Sequence, residues 1–387
     1  MSFAIGLLIL SNCSGDKGVL EPLHDNWEKA VPYQQVPEGI GSLNAETCGA
    51  CHQNHYAEWQ RSTHSQAWTD KQFQAEIMKK SSPYLCINCH IPLENQQEYL
   101  IEGLWNGDIY QPEKKKNPHW DKKLQQEGIT CAACHVRDNM IVGPTGTKKA
   151  PHPVKQDPNF LSEGLCISCH NANATLTPTL ACTFETGNEW KNSKISSEKT
   201  CITCHMTDTV RSIVPGYEPR LSHFHSFPGS GIPKSPNHHP DMFNGLDIQL
   251  GEISPNISKG SVLKTNLKLT NVHAGHRVPT GDPERFIEIV QELRNPQGRI
   301  VTSQRDTIGE KWQWYPTAKK LSDNNLNPGE SRNYSLQSSL KSAGKYELII
   351  RVIKHRLNKE SAHYNKLGDD YPLSMLIYLE RKVIAVE

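Results

Sequence analysis

Five times in this chain two cysteines three residues apart are followed directly by a histidine: Cys48, Cys51 and His52; Cys86, Cys89 and His90; Cys131, Cys134 and His135; Cys166, Cys169 and His170; Cys201, Cys204 and His205. With 12 Cys and 18 His among 387 residues, chance alone gives only about 0.02 such runs. One chemistry uses every residue of the run. The two thiols form thioethers to the vinyl groups of a haem, and the adjoining His is placed under the iron as its proximal ligand. Five covalent c-type haems are therefore expected, with His52, His90, His135, His170 and His205 as iron ligands. A zinc framework would also use paired cysteines, but it needs no His after every pair, and an odd number of pairs leaves one unmatched.

Such a chain is constrained to build its interior around porphyrins. Hydrophobic residues make up only 36% of it and the mean hydropathy is −0.61, poor material for a large apolar core unless something else supplies apolar area. Lys and Arg number 42 against 41 Asp and Glu, so no charge excess recruits nucleic acid or an anionic membrane. The propionates of bound haems make the assembled protein more acidic than the polypeptide.

The sixth iron ligand is read from what remains. Thirteen His lie outside the motifs, whereas Met is scarce at six residues, one of which, Met206, directly follows His205 and cannot reach the opposite haem face. Bis-His coordination is favoured, with lower potentials than His/Met.

The motif cysteines begin at 48, 86, 131, 166 and 201, about one site per short helical unit, and brief helices such as 55–68 alternate with Pro, Gly and Asn clusters. Residues 14–45 read as an irregular tether and 46–240 as the pentahaem domain. From Leu246 the pattern changes to period two. Leu263, Thr265, Leu267 and Leu269 alternate with Lys264, Asn266, Lys268 and Thr270, which predicts a half-buried strand. Residues 286–293, 299–303, 331–336, 346–353 and 375–380 are further strand candidates, separated by turns at Asn295-Pro296-Gln297-Gly298 and Asn327-Pro328-Gly329. The expected fold class is α+β: a loop-rich, mainly helical multihaem N-terminal domain followed by an antiparallel β-sandwich over 246–387.

The first residues, MSFAIGLLIL, precede Ser11, Asn12 and Cys13 and resemble a lipoprotein signal, although no Lys or Arg precedes the apolar run. Export to the periplasm, outer membrane or cell surface is expected, with membrane attachment through a lipid on Cys13. The run is too short to span a bilayer, which takes about 20 apolar residues.

Around the first motif the sequence carries Tyr56, Trp59, Ser62 and His64, and this arrangement resembles the cytochrome c-554/c-prime family. The likeness continues in Glu127-Gly128-Ile129-Thr130, Ala150-Pro151-His152-Pro153, Glu189-Trp190-Lys191-Asn192-Ser193 and Phe227-Pro228-Gly229, over residues 45–230. The resemblance implies a helical, loop-rich domain with haems in close pairs, exchanging electrons with other redox proteins. By match to its motifs, His64, His152 and His225 are the expected distal ligands. His223 competes with His225, and His119 is a further candidate. A fifth haem where the namesake pattern has four, and a β-rich C-terminal half, depart from the family.

One ligand is expected from the β half. In Asn271-Val-His273-Ala-Gly275-His276-Arg-Val-Pro279-Thr-Gly281, Gly275 permits close backbone approach and Pro279 stiffens the exit, so His276 is expected to ligate a haem of the N-terminal domain. The alternative is that His273 or His276 merely hydrogen-bonds within a sheet-end turn. Cys182 belongs to no motif and reads as a buried free Cys; Trp312, Trp314 and Tyr315 read as sheet packing.

The function read from these residues is an exported electron relay between redox partners, more an electron-transfer protein than an enzyme. A reductase of a small nitrogen or sulfur compound needs one open iron, and the Cys-x-x-Cys-Lys motif that marks pentahaem nitrite reduction is absent. A subunit of a cytochrome filament, with a homo-oligomeric assembly, is the third reading.

Overall fold

The alternation at 263–269 survives folding intact. Leu263, Thr265, Leu267 and Leu269 are all buried and the intervening Lys264, Asn266 and Lys268 exposed. The segment is nevertheless two strands, because the chain changes partners at Thr265. Val262–Lys264 pairs with Gln337–Ser339, whereas Leu267–Asn271 lies between Leu246–Leu250 and Ser331–Tyr334. The Thr265 hydroxyl bridges the break, donating to Gln291 Oε1 at 2.6 Å and accepting from Leu336 N at 2.8 Å.

Opposite these strands runs a six-stranded sheet in the order Asn256–Ile257, Ser374–Val386, Gly344–His355, Phe286–Arg294, Ile300–Gln313, Lys319–Asp323. It is antiparallel except for its first pair, which is parallel. Residues of the six-stranded sheet and of the two smaller ones share one apolar core that includes Leu267, Leu269, Ile287, Leu293, Ile350 and Ile384. Each such fully buried Leu or Ile contributes roughly 1.5–3 kcal/mol over its exposed form.

The described residues of the computed structural model are 18–24, 28–79, 83–147 and 149–387. The apolar start and Cys13 lie outside them. Among the described residues no helix is long and apolar enough to cross a membrane.

In the N-terminal half no described helix exceeds nine residues. Isolated helices below about 12–15 residues are marginal in water, so packing must hold these, yet the apolar clusters are small: Leu43, Leu93, Leu124, Ala132, Ala133 and Val136 in one, Tyr84, Leu85 and Leu104 in another. Short hairpins accompany the helices, at Tyr99–Trp105 with Pro112–Lys116, Asn173–Thr177 with Leu180–Thr183, and Asp208–Arg211 with Arg220–His223.

The segment read as a tether is stitched down from residue 18 onward. Leu20 and Glu21 pair with Trp105 and Leu104, Val31 N donates to Pro92 O, and Gln34 exchanges hydrogen bonds with Asn95. The two halves meet through polar contacts. Gln72 and Asp282, Lys71 and Asp370, Thr186 and Thr280, and Glu189 and Arg277 all cross between them.

Candidate functional site

Four of the cysteine pairs lie in a short helix that ends on the following His, Tyr84–His90, Cys131–His135, Glu163–His170 and Cys201–His205, which sets the two thiols one turn apart. At the first motif Cys48 lies in Ala45–Gly49, and Cys51 and His52 follow it, His52 immediately preceding the helix Gln53–Arg61. All five motifs line a single cavity of about 3590 Å³. A fifth of that volume per motif falls within the roughly 300–1,000 Å³ of a cofactor site. The motifs come together in twos. The helix carrying Cys48 packs on that of Cys131, and the helix of Cys166 on that of Cys201, with the thiols of Cys48 and Cys131, and of Cys166 and Cys201, in hydrogen-bond contact. Cys89 and Cys169 touch likewise. Among the described residues no three His, Cys, Asp or Glu converge on a point as a metal cluster requires.

The histidines are arranged in facing pairs. His52 faces His152 with ring centres 6.5 Å apart, His170 faces His64 at 6.3 Å, His135 faces His225 at 6.2 Å and His205 faces His276 at 6.3 Å. A metal–imidazole bond is about 2.0–2.1 Å, so two of them plus the two ring radii span roughly 6 Å. The four pairs therefore have the separation that one iron between two imidazoles demands.

Hydrogen bonds at Nδ1 leave Nε2 of these rings for a metal. His135 Nδ1 lies 3.0 Å from Val142 O, His205 Nδ1 2.7 Å from Pro228 O, His225 Nδ1 2.9 Å from His223 O and His276 Nδ1 2.8 Å from Arg277 O. Such outer partners fix the tautomer and aim a ligating ring. Burial lowers the pKa of His64 and His225 to about 3 and of His170 to about 4, and also pushes His52, His135 and His276 down. Neutral imidazole is the ligating form.

His90 differs. Its Nδ1 lies 2.7 Å from Ala67 O, so Nε2 is equally available, but its ring contact among the described residues is with Phe73, stacked at 3.6 Å and 4°. No described imidazole faces it as in the other four pairs.

The local segments around the motifs prove to be supports for these histidines. Gly128, at φ +63°, lets the chain approach the His64 carbonyl so closely that a Cβ would lie 2.7 Å from its oxygen, and Ile129 N then donates to that oxygen. Trp59 Nε1 donates to Ile129 O at 2.8 Å. Phe227, a non-glycine residue held at φ +44°, is wedged between His64 and His225 at 4.5 and 5.9 Å. A left-handed aromatic residue costs on the order of 1–3 kcal/mol and persists where its surroundings over-determine it. Glu58, buried and paired with Arg211, accepts from His225 N at 2.8 Å.

The loop of His276 is pinned from both sides. Asn271 Nδ2 donates to His276 O at 2.9 Å from the β half, and Glu189 of the cytochrome half accepts from Arg277 N, Arg277 Nε and Thr280 Oγ1 at 3.1, 3.0 and 2.7 Å. A Cβ on Gly275 would sit 3.2 Å from Ile195 and 3.3 Å from Trp190, which accounts for the glycine. His273 is exposed and its backbone N donates to Gly245 O at 3.2 Å.

The other sequence candidates sit elsewhere. His223 Nδ1 lies against Asp208 and Met206 O at 3.1 Å, and His119 stacks on Tyr33 at 4.4 Å; neither faces a motif imidazole. Cys182 is half-buried on the cavity wall. Trp312 and Trp314 stack on each other at 5.1 Å and, with the exposed Tyr315, line the cavity mouth rather than the sheet core. They stand at the polar end of Ile300–Gln313, beyond the reach of the core. Sequence reasoning missed His55, whose ring lies 6.0 Å from His52 and 4.8 Å from His225, and the basic residues Lys234, Arg285, Lys354 and Arg356 on the cavity wall.

The model of the "Cytochrome c554 and c-prime" family matches residues 47–104. No curated protein matches. Among solved structures, a penta-heme cytochrome c552 from Thermochromatium tepidum superposes with a TM-score of 0.61 at 16% identity, over 90% of this chain and 100% of that one. The CARDB domain of PF1109 from Pyrococcus furiosus (11% identity, 37% of this chain, 87% of that one) and a beta-glucosidase from Listeria innocua (10%, 38% and 17%) both have a TM-score of 0.20, too low to carry an argument. With its five attachment motifs on one cavity, a family segment around the first and a cytochrome fold over most of its length, the chain is a multihaem c-type cytochrome that resembles the cytochrome c554 and c-prime family and carries a C-terminal β domain.

Proposed function

We propose that the chain binds five covalent haems, four of them bis-His, and relays electrons between redox proteins outside the cytoplasm. The observation that carries this reading is the set of four facing imidazole pairs at 6.2–6.5 Å. In it His152, His64, His225 and His276 are distal ligands to the haems held at His52, His170, His135 and His205. A bound haem supplies one-electron chemistry at a potential set by its axial ligands and surroundings. The chain's own contribution is to fix the imidazoles through carbonyl partners and to hold the motifs side by side, so that electrons pass between neighbouring sites. Attachment to a membrane through Cys13 keeps the relay at a cell surface. A pyridine haemochrome assay is expected to give five haems per chain, and intact mass an excess of five units of roughly 0.6 kDa each; three or fewer would refute the count.

A second reading is favoured by one observation: among the described residues the ring facing His90 is Phe73 and not an imidazole. An iron held there with an open sixth position would let the chain reduce a small nitrogen or sulfur compound, with the other four sites feeding electrons to it. Low-temperature electron paramagnetic resonance of the oxidised protein is expected to show one high-spin haem in five. An entirely low-spin spectrum would restore the pure relay.

A further inference from the structure

Four basic side chains converge on the cavity wall between the pockets of His90 and His170, and they come from widely separated parts of the chain. Lys234 lies in the segment leading to the β domain, Arg285 immediately precedes the strand Phe286–Arg294, Lys354 is the penultimate residue of the strand Gly344–His355 and Arg356 follows it. All four line the cavity. His90 lies in the field of Lys234 and Asp70, and His170 in that of Arg285.

The carboxylates present do not balance them. Asp70, 5% exposed, accepts from Lys234, from Tyr371 OH at 2.6 Å and from Arg356 at 3.5 Å. It serves two cations with one charge. Arg285 donates to Thr280 O at 3.2 Å and Lys354 to Phe243 O at 3.2 Å; among the described residues neither has a carboxylate within 4.0 Å. Asp282 is the acid nearest Arg285, but it is taken up by Gln72 Nε2 at 3.3 Å and Glu284 N at 2.9 Å. Glu284 carries only part of a charge at neutral pH, since burial followed by the neighbouring Asp282 raises its pKa to about 7. Four cations thus face two full carboxylates and a partly protonated third, leaving more than one positive charge in excess inside the protein. A buried charge without a counter-ion is costly, and desolvation already lowers Lys234 and Lys354 to about 8.

We propose that Lys234, Arg285, Lys354 and Arg356 form an anion clamp for the propionate carboxylates of the haems held at His90 and His170. The proposal rests on the reading that these two motifs carry haem. Each haem brings two carboxylates, fixed in place by its thioethers, and planar guanidinium forks at Arg285 and Arg356 match them. Because Arg285, Lys354 and Arg356 belong to the β domain and Asp70 to the cytochrome half, haem loading and docking of the β domain become one event.

The test uses the full holoprotein with Arg285→Gln and Lys354→Met, and the charge-preserving Arg285→Lys. Haem peptides from the native protein first establish that Cys86/Cys89 and Cys166/Cys169 are loaded; an unloaded motif would sink the haem reading and the clamp with it, whereas the variants test the clamp alone. Removing a positive charge beside a haem disfavours its reduced form, so the neutral variants are expected to retain five haems and to lower one or two midpoints by about tenfold in the reduction constant, about 59 mV for one electron. Arg285→Lys is expected to keep most of the native value. Unchanged midpoints at full haem content overturn the clamp. So does a Soret or midpoint shift on adding inorganic phosphate to the native protein that vanishes in the variants, because the occupant is then a diffusible anion.

Discussion

Replacing His276 by Ala is expected to turn one low-spin haem high-spin and to loosen the β domain from the cytochrome half. The ring faces His205 at 6.3 Å with the two planes within 13°, and its Nδ1 is occupied by Arg277 O, so an iron ligated by His205 has no other described imidazole in reach. The substitution removes a metal–ligand bond that crosses the two halves. What remains at this loop is the ion-pair network of Arg277 with Glu189 and Asp323, half-sheltered from solvent, and the contacts of Asp70 with Arg356 and Tyr371. These keep the domain attached but not locked. Electron paramagnetic resonance reads the spin change, and limited proteolysis around residues 224–245 reads the loosening. His273→Ala is the control, since that side chain is exposed, and it is expected to leave both readouts at the native level. A wholly unchanged spin state in His276→Ala would mean that the domains are held by ordinary packing alone.

The parts of this site that were legible in the sequence are those whose chemistry is local. A Cys-x-x-Cys-His run declares itself because thioether spacing and proximal ligation are settled within five residues. His64, His152 and His225 are singled out by the likeness to family motifs and His276 by its Gly-His-x-x-Pro-Thr-Gly segment, and each ring lies opposite a motif imidazole. What the sequence could not say is which His faces which motif. His64 is 12 residues after His52 yet faces His170, and His152 faces His52 across 100 residues of chain; the pairing is decided by how the short helices pack. The clamp was invisible for the same reason, its members being spread from Lys234 to Arg356 with no motif around any of them. In the β domain the alternation of 263–269 gave the burial pattern but not the change of partner at Thr265, which depends on where the strand 331–334 ends. The strand Ile300–Gln313 extends ten residues past its expected end because that stretch, polar and largely exposed, has no period-two apolar signal; backbone pairing with Phe286–Arg294 and Lys319–Asp323 sustains it instead.

Without haem, the cytochrome half is expected not to fold while the β domain keeps its structure. The cavity the motifs enclose measures about 3590 Å³, and an apolar void costs roughly 24 cal/mol per Å³. A void of even a quarter of that size exceeds the roughly 5–15 kcal/mol by which a domain is stable, so the wall must collapse or open to water. The wall resists this weakly, because its helices are too short to stand alone and its two apolar clusters are small. The β domain has no such debt. Its core of buried Leu, Ile, Val and Tyr forms one cluster, and the long antiparallel ladder of Gly344–His355 with Phe286–Arg294 and Ser374–Val386 is independent of any motif. Serine at all ten motif cysteines, or expression without haem-attachment machinery, tests this by limited proteolysis and circular dichroism. The apo chain is expected to lose its helical signal, to be cut throughout 46–240 and to leave a resistant fragment beginning near Leu246. Equal protection of residues 46–240 with and without haem would show that the polypeptide packs against itself there, and the haems would then be guests in a preformed scaffold rather than the core around which it condenses.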